Sequence, residues 1–551
     1  MHNLEAVFGK WGTPAHSADP GAAAWEYLEL NLGAGQPRPA VAVADIPLSD
    51  SRLSHEARLA LSHEIGAAHV DAGRTARLRH SAGSSLTDLV HQRDGNLSRI
   101  PDAVLRPASH DEVLAILRVC REYGIAVVPF GGGTSVVGGV TAEAGVHDCV
   151  VAVALDRIAD LLDIDRVSLT ATVQPGMTGP TLERLLAARG LMWGHLPQSW
   201  ERATIGGYVA TRSAGQASTG YGRSNELVES VVLATPRGTV RLGRAPSSAA
   251  GPDLRELFIG SEGVLGIITS VTLRVRPQPN YSRYEGLMFP DYASGVAAFR
   301  ALAQADLTGT VMRLSDRTET RSTLAMSGPQ GRAGQALNKY LGLRGVADGC
   351  LGILAWEGFS PSATKARRRA AWVALRAHGA VPLGARVGAS WRKHRFDGPY
   401  LRDVLLDAGY IAETLETAGD WSTLTQLHDA VRDALVTSLA TAEHEPLVLS
   451  HVSHVYGPGA SLYFTVVARA ETDRAAQWAV GKNAACDAIM ANGGTITHHH
   501  AIGTDHRPWM EQEVGEVGQD VLQAVKDLVD PTGILNPGKL LPASSMMELP
   551  V

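Results

Sequence analysis

Between Val127 and Val140 the chain places five glycines within nine residues, Gly131 to Gly139, with Thr134 and Ser135 among them. Such a run turns the backbone sharply and brings main-chain N–H groups close to whatever sits against it. Diphosphate is the guest this chemistry suits. Gly131, Gly132, Gly133 and Gly138 offer amides with no Cβ in the way, and the two hydroxyls add donors. A P-loop is excluded because Val140 stands where its lysine belongs, and a Rossmann fingerprint fails at Val136, whose Cβ would obstruct helix–strand packing. A glycine-rich surface loop without a ligand is the plain alternative.

A second constellation is the triplet His498-His499-His500. If residues 494–500 are extended, His498 and His500 share one face and His499 takes the other. Proton transfer is the favoured role, since imidazole titrates near neutrality. A structural cluster and a metal site are the alternatives. Asp505 is the sole carboxylate close by in sequence, so no metal is assigned. Arg313 sits in the apolar run Val311 to Leu314, where a charge is costly unless it is paired or bound to a ligand. An edge-strand arginine at a surface is its simpler reading.

The elements around the glycine run are readable. Ser109 and Glu112 form a capping box opening a helix with Val113, Ile116, Leu117 and Cys120 on one face, ended by Gly124. The order is strand, helix, strand, glycine loop. Short apolar strands then alternate with helices, such as Thr178 to Arg189 before Gly190, to about Pro277. Between Leu191 and Gly222 the composition turns to Gly, Ser, Thr and aromatics, the character of a ligand-lining loop, with Ser213, Gly215, Gly220 and Gly222 able to run along a flat ring.

Arg106-Pro107, the helix, Val128 to Ser135 and Leu155-Asp156 resemble the FAD-binding domain of the vanillyl-alcohol oxidase/PCMH flavoprotein superfamily. Leu196-Pro197-Gln198-Ser199 with Ala203-Thr204-Ile205-Gly206-Gly207 resembles its second FAD segment, and Gly260 to Thr269 its third. The resemblance implies an α+β protein with a two-subdomain PCMH-type FAD-binding domain, an α+β cap and a C-terminal helical return. It divides the chain into an N-terminal arm with helices (1–95), the FAD domain (96–280), the cap (281–500) and the return (501–551). The arm, including a helix from Ser54 to His69, is expected to pack over the FAD domain. The return carries Val517, Val521, Leu522, Val525 and Leu528 at helical spacing.

By the same resemblance, FAD is held by Pro129, Gly131, Gly132, Gly133, Thr134, Ser135, Gly138, Pro197, Ser199, Thr204, Gly206, Gly207, Ser213, Glu262, Gly263 and Ile268, with Glu262 accepting from ribityl or ribose hydroxyls. Non-covalent FAD is expected, because residues 129–140 hold no histidine or cysteine. His195 is the nearest alternative anchor.

Gly398 to Asp403, Gly409 to Ala418, Trp421, Ser461 to Thr465 and Thr497 to Gly503 resemble the alkyldihydroxyacetonephosphate synthase branch. Asp530-Pro531-Thr532-Gly533-Ile534-Leu535-Asn536-Pro537-Gly538-Lys539 is closer to FAD-linked oxidases and 2-hydroxy-acid dehydrogenases. The branch implies exchange of an acyl group on dihydroxyacetone phosphate for a fatty alcohol at flavin N5, without net redox. Arg402 and Arg313 would clamp the anion. Tyr463 with His499 or His500 would move protons, and His498 would contact substrate. Oxidation of an alcohol or 2-hydroxy acid by the same residues is the second reading, and a flavin-bearing binding module without turnover the third.

A chain of 551 residues exceeds a single core of roughly 100–200 residues. Its net charge of −6 argues against nucleic acid as main partner. Cys120, Cys149, Cys350 and Cys486 are too scattered for a zinc ribbon or redox dithiol, and the reducing cytoplasm is the expected setting. Met1 to Val7 lack the basic start and apolar run expected of a signal peptide, and no apolar segment approaches the ~20 residues expected of a membrane span. Lys365, Arg367, Arg368, Arg369 and Arg376 read as a solvated basic helix face, with weak contact to an anionic membrane as the minority reading. A small or lipid-like substrate and a homodimer complete the expectations.

Overall fold

The computed structural model describes residues 8–13 and 17–541. The glycine run leaves a small sheet ordered Val70–Asp71, Ala103–Leu105, Cys149–Ala154 and Ile125–Phe130. Its last three strands are parallel. Strands covered on both faces read as unbroken apolar runs, and every residue of Cys149–Ala154 is buried. The crossover helix, His110–Glu122, is capped as its sequence predicts at Ser109, whose Oγ accepts from the Glu112 N–H at 3.1 Å. The Glu112 carboxylate reaches one residue further back than a capping box requires, to the Ala108 N–H at 2.7 Å.

A second, five-stranded antiparallel sheet runs in the order Leu161–Asp165, Thr170–Val173, Ile267–Arg274, Val228–Thr235 and Gly238–Leu242. Together the two sheets form the bipartite domain.

The cap is a seven-stranded antiparallel sheet ordered Val381–Gly384, Tyr281–Phe289, Cys350–Gly358, Val311–Ser315, Leu447–Val455, Gly459–Arg469 and Tyr410–Asp420. Side-chain alternation divides it into two faces. Met312, Leu314, Val452, Leu462, Phe464 and Leu415 pack into one core with the helices. On the other face Ser315 pairs with His451, His451 with Tyr463, and Tyr463 with Glu416. A bulge after Val452 shifts the register so that His454 pairs with Ser461, two residues from Tyr463. That extra residue brings His454 onto the face of His451, which strict alternation would forbid.

The arm does more than cover the FAD domain. Val70–Asp71 extends the first sheet, whereas Leu28 and Leu32 of the helix Ala22–Leu32 pack on Tyr410, Ala412 and Val467 of the cap. Leu86, Leu89 and Val90 of the helix Leu86–Asp94 belong to the cap core. The arm goes where the outer cap strand leaves apolar surface to bury.

The C-terminal helix, Met510–Val529, also departs from the expected pattern. Val517 is 75% exposed, Val521 53% and Leu528 64%; Leu522 and Val525 are the members of that row packed against the FAD-domain core. Beyond it the chain returns to the FAD domain, with the Val127 N–H donating to the Ile534 carbonyl at 2.7 Å and the Asn536 N–H to the Val127 carbonyl at 2.8 Å. The basic helix Pro361–Ala377 is not wholly solvated: Arg368 binds the buried Glu285 at 2.6 Å, beside the indole N–H groups of Trp356 and Trp372. All four cysteines are buried and unpaired. Among the described residues no helix is long and apolar enough to cross a membrane.

Candidate active site

The three glycine-bearing segments converge. Any Cβ at Gly132 would collide with the Arg202 carbonyl, so the first segment lies directly on the second. Gly263, at φ +80°, would put a Cβ 2.7 Å from the Pro129 ring, so the third lies on the first. Gly131 faces Thr204, Gly206 faces Pro175 and Gly138 faces Thr504. Ser135 braces the loop by accepting the Gly139 N–H at 2.8 Å. Gly133 and Ser135 are also held through their carbonyls, by the Ser84 hydroxyl at 2.9 Å and the Ser84 N–H at 2.7 Å. Thr134 lies half-buried between them.

In the second segment the Pro197 carbonyl accepts from Trp200 N–H at 3.1 Å and the Ser199 carbonyl from Ala203 N–H at 3.0 Å. Thr204 caps the helix Ile205–Ala210 by accepting from Gly207. Ile268 is buried in the third segment, opposite Leu233. Glu262 does not face open space. Its oxygens accept the Ile502 and Gly503 N–H groups, each at 2.8 Å, and burial pushes its pKa up to about 7. Asn536 closes the arrangement, donating to the carbonyls of Glu262 at 2.7 Å and Gly139 at 3.1 Å.

Residues 193–223 retain buried polar atoms with no partner among the described residues: Trp193 Nε1, His195 Nδ1, Gln216 Oε1 and Arg223 Nε. Groups left this way are rare unless a ligand or water meets them. Donors and an acceptor of this kind suit a flavin, whose ring edge offers both. His195 is fully buried, with Nε2 3.1 Å from Ser213 Oγ, and burial lowers its pKa to about 3.

The histidine triplet is not an extended strand. It winds around one carboxylate, that of Glu416, which accepts from the N–H of His498 at 2.6 Å, of His499 and His500 at 2.9 Å each, and from the Thr497 hydroxyl at 2.6 Å. Successive N–H groups pointing at one anion form a nest, and this requirement overrides the alternation expected of a strand. Burial opposes the charge on Glu416, but the hydrogen bonds it accepts outweigh it and hold the carboxylate well below its usual range. Burial lowers the pKa of all three rings too, that of His500 to about 3, which for an imidazole favours the neutral form. The rings therefore rest neutral beside a fixed negative charge.

Sequence reasoning passed over several neighbours. His454 stacks on His498 with centroids 5.1 Å apart, Tyr456 hydroxyl meets His498 Nε2 at 2.7 Å, and Arg223 donates to the His498 carbonyl at 2.6 Å. Asp505, the carboxylate nearest in sequence, pairs instead with Lys482 at 2.9 Å.

Tyr463 joins the cluster from the adjoining strand. Its ring lies 6.0 Å from that of His499, nearly parallel, and 5.7 Å from His500, edge-on. Burial pushes its hydroxyl to about 12. Arg313 is already engaged, by Glu319 at 2.6 Å and His451 Nε2 at 2.7 Å. It lies inside the sheet, not on an edge. Arg402, on the helix Gly398–Asp407, touches the buried Glu413 at 3.3 Å through Nη1 and keeps a buried Nε with no partner among the described residues. The candidates thus meet at the seam between FAD domain and cap, with Arg402 the better placed of the two guanidiniums to receive an anion.

Comparison with known proteins bears on this seam. Residues 101–243 match the "FAD binding domain" family model and residues 278–540 that of "FAD linked oxidases, C-terminal domain". An alkyldihydroxyacetonephosphate synthase of Dictyostelium discoideum is 32% identical over 477 residues, 85% of this chain and 78% of the relative. The chain belongs to the alkyldihydroxyacetonephosphate synthase family. A solved alkyldihydroxyacetonephosphate synthase superposes with TM-score 0.82 at 28% identity, over 94% of this chain and 92% of that one. The mitochondrial cytochrome-linked D-lactate dehydrogenase of Arabidopsis thaliana is 28% identical over 80% of this chain and 74% of its own length. As a member of this family the protein is an FAD-dependent enzyme.

Proposed function

We propose that the protein exchanges the acyl group of an acyl-dihydroxyacetone phosphate for a fatty alcohol, forming the alkyl ether without net redox. The observation that carries the reading is the group formed by Tyr463, His499 and His500 around Glu416, at the seam where the FAD segments meet the cap. Bound FAD supplies a nucleophilic N5 and ends in its starting oxidation state.

The carbon–oxygen bond to the acyl group breaks, a carboxylate departs, and a bond to the alcohol oxygen forms. Arg402, with an unpartnered Nε, offers a fork to phosphate or departing carboxylate. His499 or His500 takes the alcohol proton, and the Glu416 charge offsets the one the ring acquires. Tyr463, beside both rings, relays that proton on toward the departing carboxylate. FAD is held without a covalent link in this reading, and the substrate is lipid-like.

The 28% identity to a D-lactate dehydrogenase supports a second reading, oxidation of a 2-hydroxy acid with Arg402 on its carboxylate. Incubating FAD-loaded protein with acyl-dihydroxyacetone phosphate and hexadecanol, and analysing products by mass spectrometry, tests the first. Alkyl-dihydroxyacetone phosphate in equal amount to released fatty acid is expected. Fatty acid released without alkyl product would reject ether formation.

A further inference from the structure

We propose that His454, His498 and His499 form a binding site for a divalent transition metal of the zinc class. The inference does not depend on the reaction proposed above. Each of the three residues offers a ring nitrogen, and the three atoms lie within 4.8 Å of one another. His498 Nδ1 and His499 Nδ1 are 3.0 Å apart. Nitrogens bound at about 2.0–2.1 Å to a tetrahedral zinc stand about 3.3 Å from each other, close to this separation.

Two further features point the same way. His454 is 4% exposed and its Nδ1 is buried with no partner, a polar atom for which the described residues provide no use. His498 meets the Tyr456 hydroxyl through Nε2 at 2.7 Å. If that nitrogen donates its proton to the tyrosine oxygen, Nδ1 is left with the lone pair that binds a metal, the usual way an outer partner fixes a ligating imidazole. The Glu416 carboxylate, 3.5 Å from His499 Nδ1, places a negative charge beside the ion.

Three imidazoles select zinc, cobalt, nickel or copper over magnesium or calcium, which prefer oxygen. A fourth position stays open to water or an exogenous group. The ligands come from two distant places, the bulge after Val452 and the nest on Glu416, so neither sequence segment announces the site alone. A metal here occupies the His499 lone pair, and zinc inhibits any reaction that uses this histidine as a base.

The test uses full-length, FAD-loaded protein stripped with a chelator. Zn2+ is titrated by calorimetry, and Co2+ by its ligand-field absorption to the red of the flavin bands. One ion per chain is expected, with a tetrahedral cobalt spectrum. Tyr456→Phe should weaken binding on the order of 10–100-fold, and His454→Gln by at least as much. FAD content and circular dichroism establish that each variant is folded; if His454→Gln loses FAD, Tyr456→Phe alone decides. No heat and no ligand-field band, or unchanged affinity in the folded variants, overturns the site.

Discussion

Glu416 binds His499 twice over, accepting its backbone N–H at 2.9 Å while a carboxylate oxygen stands 3.5 Å from its ring Nδ1. One buried carboxylate therefore sets both the path of the histidine segment and the charge beside its rings. Removing it strands three N–H groups and the Thr497 hydroxyl. Glu416→Ala should cost about 3–5 kcal/mol in denaturant unfolding, the scale of a broken buried ionic arrangement. Glu416→Gln keeps the volume and should lower kcat more than it raises KM. A stability change within about 0.5 kcal/mol, the range of an ordinary surface substitution, would show that the nest does not organise the triplet.

The two arginines should behave differently. Arg402→Lys removes the fork but keeps the charge, and kcat/KM should fall on the order of 10–100-fold while the melting temperature holds. Arg313→Lys breaks the bonds to Glu319 and His451 and should lower stability by about 1–3 kcal/mol. Reversed outcomes, with Arg402→Lys unfolding the cap and Arg313→Lys silent on stability, would reassign the anion-holding role.

How much of this was legible in the sequence follows from the range of the contacts. The FAD segments are local: glycines that let Gly132 lie on Arg202 and Gly263 on Pro129 announce themselves in runs a few residues long. The histidines were visible for the same reason, but the carboxylate they wind around lies 82 residues from His498, and no local pattern joins them. His454 reaches the site through a bulge, which alternation cannot foresee. The outer row of the C-terminal helix misled in the opposite sense, because periodic apolar residues such as Val517 need not be buried.

Asn536 should matter for cofactor retention. Asn536→Leu strands the carbonyls of Gly139 and Glu262, at a cost of about 1–3 kcal/mol. Faster FAD loss on gel filtration and a lower melting temperature are expected. Undiminished retention would confine the tail to packing.

Asp88 supplies a pH signature. Burial and the nearby Asp505 push its pKa up to about 6. The folded state then binds more protons than the unfolded between about pH 4 and pH 6, so this group's stabilisation is present below that window and lost as pH rises through it. The melting temperature of Asp88→Asn should gain on that of the unsubstituted protein across the window and run parallel above it. A difference constant from pH 4 to pH 8 would mean that Asp88 is not titrating there.

The most direct test of the central claim is anaerobic. FAD-loaded protein is mixed with acyl-dihydroxyacetone phosphate and hexadecanol, and separately with 2-hydroxy acids, while flavin absorbance is followed to completion. Alkyl product with the oxidised spectrum fully restored is the predicted result. Lasting bleaching by a hydroxy acid, with no alkyl product from the lipid pair, would contradict it and make the protein a dehydrogenase or oxidase.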